Sequence, residues 1–132
     1  MNHDAGSDSH CSRSWPQKFR DAGRGLWLGV GCEKSFRVHV PAGVAVLSLA
    51  AYLRVSAAEW GVLLGCVAAV ATAELFNTAI EHLARAVDDR PNSHLAAALD
   101  VASGAVLLSA IGAAAAGAAV FLPHLIALAT AV

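Results

Sequence analysis

Carboxylate and amide side chains recur at intervals of three and four residues inside an otherwise apolar segment. This polar stripe consists of Glu74, Asn77, Thr78 and Glu81, and it continues with Arg85 and Asp88. At about 100° per residue, these positions share one face of an α-helix. Two carboxylates one or two turns apart can bind a hard cation such as Mg²⁺, and a carboxylate in apolar surroundings can act as a general base. The same residues could instead hold helices together, or lie partly solvated near a helix end.

Further oxygen ligands stand near the ends of the other apolar segments. Glu33 precedes the first segment, Phe36 and Arg37 follow one turn later, and Asp100 opens the last segment. These side chains could converge with the polar stripe if all of them lie on one side of a membrane. Alternatively, Glu33 is a solvated acid in a first helical turn, and Asp100 only marks the start of a helix.

The composition indicates a small integral membrane protein. The 132 residues suffice for one domain, with 57% hydrophobic and only 14% charged side chains, and a mean hydropathy of +0.57. Such a chain is neither disordered nor a nucleic-acid binder, since both classes need many more charges. Residues 101–132 contain no Asp, Glu, Lys or Arg, and about 20 apolar residues suffice to cross a bilayer.

The apolar segments predict an all-α fold with three transmembrane helices and an N-terminal surface helix. The spans are residues 40–53, 60–87 and 101–132, and the short link at 54–60 makes the first two an antiparallel hairpin. Residues 1–14 form a flexible tail, residues 15–132 form the membrane domain, and residues 17–36 form an aromatic and basic helix on the membrane surface. Six Lys or Arg residues before the first span predict a cytoplasmic N-terminus.

The polar stripe also bears on assembly. Three helices cannot shield it from lipid on all sides, so we expect an oligomer with sites between subunits. The last segment supports this expectation, since its many Ala and Gly residues permit close helix packing in lipid. The three cysteines and six histidines are scattered and indicate neither a disulfide framework nor a histidine metal site.

Three motifs resemble those of the bacterial diacylglycerol kinase family, small three-helix membrane kinases that include undecaprenol kinases. The matching stretches are residues 33–39 (EKSFRVH), 74–81 (ELFNTAIE) and 100–108 (DVASGAVLL). The middle stretch is the most specific, because the family form is Glu-x-x-Asn-(Ser/Thr)-Ala-Ile-Glu. The resemblance extends without gaps from about residue 19 to the end of the last segment, about four fifths of the chain.

The resemblance implies a homotrimer in the bacterial inner (plasma) membrane that transfers the γ-phosphoryl group of Mg-ATP to a lipid hydroxyl at the cytoplasmic interface. The lipid would be diacylglycerol or undecaprenol, and the first motif is closer to the undecaprenol form. By resemblance, Glu74 would be the general base and Asn77 would position groups in the site. Glu33 and Glu81 would bind Mg²⁺ together with the nucleotide, and Asp100 would also bind the nucleotide. Phe36 and Arg37 would shape the side of the site that faces the lipid.

Two positions depart from the family pattern. Leu99 stands where the family has a phosphate-binding Lys, and Arg85 stands where it has Asp. The loop 90–92 (RPN) also replaces the usual Glu-Tyr-His triplet. One hypothesis is that Arg85, one turn from Glu81, supplies the missing cation to the nucleotide; the alternatives are a salt bridge to Glu81 or an exposed interfacial Arg. The departures favour a second class, a non-catalytic degenerate homologue that acts as a membrane scaffold. A small transporter would be a third class, but the chain shows no internal repeat.

Overall fold

The computed structural model describes residues 14–32, 36–87 and 92–130, and all regular secondary structure within these ranges is α-helical. The four helices are α1 (Trp15–Cys32), α2 (Phe36–Leu53), α3 (Ala57–Val87) and α4 (Ser93–Thr130). This confirms the predicted all-α fold and the order of its elements. The predicted surface helix starts two residues earlier than expected and ends at Cys32, so that Phe36 belongs to α2.

Side-chain caps define where α3 and α4 begin. The Ser56 N–H donates to Glu59 Oε2 at 2.7 Å, and the Glu59 N–H donates to Ser56 Oγ at 3.3 Å, which forms a capping box. At α4, Asn92 Oδ1 accepts the N–H groups of His94 and Leu95 at 2.9 and 3.3 Å. These bonds satisfy backbone donors that have no partner within the helix.

A three-residue turn joins α2 to α3. Arg54 adopts a left-handed conformation, with φ of 53°. Its N–H donates to the carbonyl of Ala51 at 3.3 Å, and the N–H of Val55 donates to the carbonyl of Ala50 at 3.2 Å. This pair of bonds is the Schellman arrangement of a helix C-terminus. Val55 and Ala50 belong to one buried apolar cluster, so the turn fixes the predicted antiparallel hairpin.

The long helices α3 and α4 pack against each other along most of their length and run antiparallel. Ser103 lies 3.5 Å from Asn77 near one end of the pair, and His124 lies 3.8 Å from Glu59 near the other. The apolar cluster lies at the second end, beside the α2–α3 turn. The polar stripe of α3 therefore lies towards the end of the bundle that is remote from this turn.

Among the residues that the structure describes, two helices are long and apolar enough to cross a membrane. They are α3 and α4, and only 28% and 11% of their most apolar 18-residue windows are buried. A core helix of a soluble protein would be mostly buried, so these outward apolar faces support a membrane environment. The apolar part of α2, Val38–Leu53, is shorter than the roughly 20 residues of a typical span. Its role as a third span stays a prediction.

Helix α1 packs on α3 through a close backbone approach. Gly29 is buried, and a Cβ atom at this position would lie 2.5 Å from Leu75 Cδ2. The large side chains of Trp15, Phe19 and Trp27 are exposed, and Lys18 Nζ lies 4.9 Å from the centroid of the Trp15 ring. Exposed aromatic and basic side chains are typical of a helix at a membrane surface, which is the position that the sequence predicts.

Candidate functional site

Glu74 is buried between helices and faces a histidine. Its side chain is only 1% exposed, and Glu74 Oε1 lies 3.1 Å from His39 Nδ1 on α2. Val70 and Thr78, four residues before and after Glu74, are also buried, because this row of α3 faces its neighbours in the bundle. A carboxylate in such surroundings is held in place and kept from bulk water.

A second group of polar side chains lies one turn further along α3. Asn77 Nδ2 donates to Glu81 Oε1 at 2.9 Å, and an Arg85 guanidinium nitrogen donates to Glu81 Oε2 at 3.1 Å. The Ser103 hydroxyl of α4 donates to Asn77 Oδ1 at 3.5 Å. The Glu81 side chain is 29% exposed and that of Arg85 is 65% exposed. This group is therefore open to a ligand that arrives from the end of the bundle.

The polar stripe thus faces more than one neighbour. Glu74 meets α2 through His39, whereas Asn77 meets α4 through Ser103. Thr78 lies beside α1, where it lines a small cavity with Gly29. Glu74 and Glu81 are two turns apart on α3, and they pair with different groups.

For the other predicted site residues, the structure shows no hydrogen bond or ion pair with Glu74, Asn77 or Glu81 in the part of the chain that it describes. Asp100 is exposed on α4, three residues before Ser103, and so lies near the same end of the bundle as Asn77. Phe36 and Arg37 form the start of α2, with side chains outside the described part of the structure. Glu33 and Asp88 also lie outside the described residues.

The polar group around Asn77 contains a carboxylate, the type of oxygen ligand that Mg²⁺ binds. Within the described ranges, no three His, Cys, Asp or Glu side chains cluster as a metal site. Mg²⁺, however, commonly takes one or two carboxylates, keeps several waters and completes its shell with substrate phosphates. The Glu81 carboxylate fits this limited requirement, whereas Asn77 turns its Nδ2–H towards Glu81 and its Oδ1 towards Ser103.

Two of the residues that contact the site carry no role in the sequence interpretation, His39 and Ser103. His39 ends the first motif and is a polar residue at the start of an apolar segment, which is the signal that could have marked it. Ser103 belongs to the third motif but gave no such signal, because a single Ser is common in apolar helices.

A partly open apolar cavity of about 440 Å³ begins beside His39, between α2, α3 and α4. It extends along α4 from Ala110 to Phe121, about 16 Å at the rise of an α-helix. Its walls are small or apolar, with Gly43, Cys66 and Gly117 between its ends. We call this cavity the apolar groove.

Fold and site together define a small helical membrane protein whose polar centre lies near one end of its long helices. The chain belongs to the prokaryotic diacylglycerol kinase family, whose family model matches residues 20–121. It is 35% identical over 109 residues to an undecaprenol kinase of Bacillus subtilis (strain 168), covering 83% of this chain and 89% of that relative. It is 37% identical over 111 residues to a diacylglycerol kinase of Synechocystis sp. (strain ATCC 27184 / PCC 6803 / Kazusa), covering 83% of this chain and 63% of that relative.

Proposed function

We propose that this protein is a membrane lipid kinase that transfers the γ-phosphoryl group of ATP to a lipid hydroxyl. The observation that carries the proposal is the buried Glu74, which lies against His39 where the apolar groove begins. Membership of the family and the names of both relatives support the same class of reaction. The arrangement offers a base to a hydroxyl and apolar walls to the chain behind it.

In the proposed reaction, the lipid hydroxyl oxygen attacks the γ-phosphorus of ATP. The new O–P bond forms as the bond from the γ-phosphorus to the β,γ-bridging oxygen breaks, and ADP leaves. Glu74 accepts the proton of the hydroxyl. Most of the catalysis of phosphoryl transfer comes from positioning and charge stabilisation, so a fixed carboxylate beside the acceptor meets the main requirement.

The second polar group is proposed to serve the nucleotide. Glu81, together with Glu33, would hold Mg²⁺, which neutralises the charge that develops on the phosphate oxygens. Asn77 would orient groups in the site, and Asp100 would bind the nucleotide from the start of α4. The hydrogen bonds that join Asn77 to Glu81 and to Ser103 support this role, since they hold the amide between two helices.

The apolar groove is proposed to hold the hydrocarbon chain of the acceptor. Its walls carry few polar groups, so it would accept long chains of different structure, either acyl or prenyl. Both relatives are named for lipids of this kind, diacylglycerol and undecaprenol. Phe36 and Arg37, at the start of α2, would help to shape the lipid side of the site.

The proposed kinase works as an oligomer in the bacterial inner membrane. Helix α2 would be a third span, with the N-terminus and the site on the cytoplasmic side, as the basic N-terminal residues indicate. The exposed apolar side chains of α4 support packing against lipid or further copies of the chain. A homotrimer is the assembly that the family resemblance implies.

Arg85 is proposed to supply the cation that Leu99 cannot supply. It lies one turn from Glu81, and its exposed side chain is long enough to turn from the carboxylate towards a phosphate. The observed ion pair with Glu81 equally suits the second candidate, a non-catalytic scaffold in which Arg85 merely neutralises a carboxylate. The two candidates differ in whether phosphate is transferred at all.

The test is transfer of label from γ-labelled Mg-ATP to diacylglycerol or to undecaprenol by the purified protein in micelles. We expect label in at least one lipid, and the ratio between the two identifies the preferred acceptor. No transfer to either lipid would refute the kinase and favour the scaffold.

A further inference from the structure

We infer that His39 is a positioning residue that holds the Glu74 carboxylate in its reactive orientation. The inference rests on the proposed function and concerns the same site. His39 lies one turn into α2, and its Nδ1 atom is 3.1 Å from Glu74 Oε1. The histidine side chain is 28% exposed, whereas that of Glu74 is 1% exposed, so the histidine stands on the open side of the pair.

The chemistry of the pair follows from which groups can donate. A carboxylate at Glu74 can only accept, so the Nδ1–H of His39 is the donor. A hydrogen bond to a charged acceptor is stronger and more directional than one between neutral groups. A glutamate side chain has several rotatable bonds, and this contact from a second helix restricts them. A base must lie within about 2.6–3.2 Å of the group whose proton it takes, and a displacement of about 1 Å can lower a rate about 100-fold.

His39 also connects the base to the apolar groove. Its side chain forms part of the wall where the groove begins, so a lipid lying there would bring its polar end to the place where His39 meets Glu74. Helices α2 and α3 form one hairpin with a fixed turn, and the contact therefore joins two elements of a rigid unit. The inferred role of His39 is to hold the Glu74 carboxylate in a fixed position relative to the apolar groove.

A second histidine–carboxylate pair provides a matched control. His124 Nε2 lies 3.8 Å from Glu59 Oε2, and the His124 Nδ1 atom bonds the Val120 carbonyl of its own helix at 2.9 Å. Glu59 is 15 residues from Glu74 on α3, about 22 Å at the helical rise. This contact also joins two helices, but it lies far from the proposed chemistry.

The test compares His39→Ala, His39→Asn and His39→Gln in the label-transfer assay. Asn places an amide N–H close to the position of Nδ1, whereas Gln places it close to that of Nε2. We expect His39→Ala and His39→Gln to lower kcat by about 10- to 100-fold, up to the loss that a displacement of about 1 Å can cause, with little change in KM for Mg-ATP. His39→Asn should recover most of the lost kcat, and His124→Ala should keep the kcat of the wild type.

A purely structural role predicts different results. It would give His39→Asn and His39→Gln the same kcat, which would overturn the inference even if His39→Ala does not fold. A kcat for His39→Ala within about twofold of the wild type would also overturn it. In a Glu74→Gln background, His39→Ala should cause no further loss, because the group that it positions is gone; a full additional loss would contradict this. If the wild type itself transfers no label, the proposed function fails rather than this inference.

Discussion

The contact between α1 and α3 gives a prediction whose size follows from one close approach. Replacing a helix-interior Gly by Ala normally stabilises a helix by about 1 kcal/mol. At Gly29 the added Cβ would lie 2.5 Å from Leu75 Cδ2, about 1 Å inside an ordinary contact. That atom is the end of a half-buried side chain that can shift, so the crowding should cost about 1 kcal/mol, the lower end of the range for overpacked cores. At Gly25, one turn earlier, no atom lies within 4 Å of an added Cβ. Only the gain in helix stability from replacing Gly by Ala therefore remains at that position.

We therefore expect Gly29→Ala to leave the protein about 1 kcal/mol less stable than Gly25→Ala. Reversible unfolding in mixed micelles measures the free energy of unfolding of both variants. Because the crowding atom is the end of a Leu side chain, Leu75→Ala should remove most of the difference between them. If Gly29→Ala and Gly25→Ala raise the stability equally, α1 does not pack on α3 as the structure shows.

The further predictions concern three variants, two at helix ends and one at the ion pair beside the site. Arg54→Gly should raise the free energy of unfolding by about 1 kcal/mol, because Gly adopts positive φ without the steric cost of a side chain; a decrease would show that the side chain of Arg54 stabilises the turn. Asn92→Ala should lower the free energy of unfolding by about 1 kcal/mol through loss of the α4 cap, and equal stability would contradict that cap. Arg85→Ala should change the free energy of unfolding by less than about 0.5 kcal/mol, since its pair with Glu81 is exposed and spaced i, i+4. The same variant should raise KM for Mg-ATP, with recovery when Leu99→Lys is added; full activity of Arg85→Ala would refute the substitute cation.

The sequence predicts the helices well because their signals are local. The apolar run of α4, the short link before α3 and the periodic polar stripe each act within a few turns, and the structure contains all three. The start of α4, capped by Asn92, and the turn at Arg54 depend on a few side-chain and backbone hydrogen bonds. Such details shift element boundaries by a few residues and are difficult to read from composition.

The arrangement around the stripe could be predicted only in part. The spacing of Glu74, Asn77 and Glu81 in the sequence places them on one side of a helix. That side is wide enough to contact two neighbouring helices. Which neighbour each residue meets depends on how α2 and α4 pack against α3, and that packing involves residues far apart in the chain. The partners His39 and Ser103 therefore emerge from the structure.

The contacts of Arg85 give a physical explanation for its departure from the family pattern. Arg85 already neutralises Glu81 across one helical turn, so the pair carries no net charge before a ligand binds. A phosphate and Mg²⁺ arriving together would offer Arg85 and Glu81 a new partner each. In the proposed kinase, nucleotide binding breaks the ion pair between Arg85 and Glu81. It replaces this pair with one contact between Glu81 and Mg²⁺ and another between Arg85 and a phosphate.

The most direct test of the central claim compares kcat for Glu74→Gln with kcat for Glu59→Gln in the label-transfer assay. Both changes remove one carboxylate from α3, but only Glu74 is buried beside His39 at the start of the apolar groove. Loss of a general base lowers a rate by about 100- to 10,000-fold, so Glu74→Gln should lose activity to that extent while Glu59→Gln stays within about twofold of the wild type. Equal activity of the two variants would contradict the assignment of Glu74 as the base.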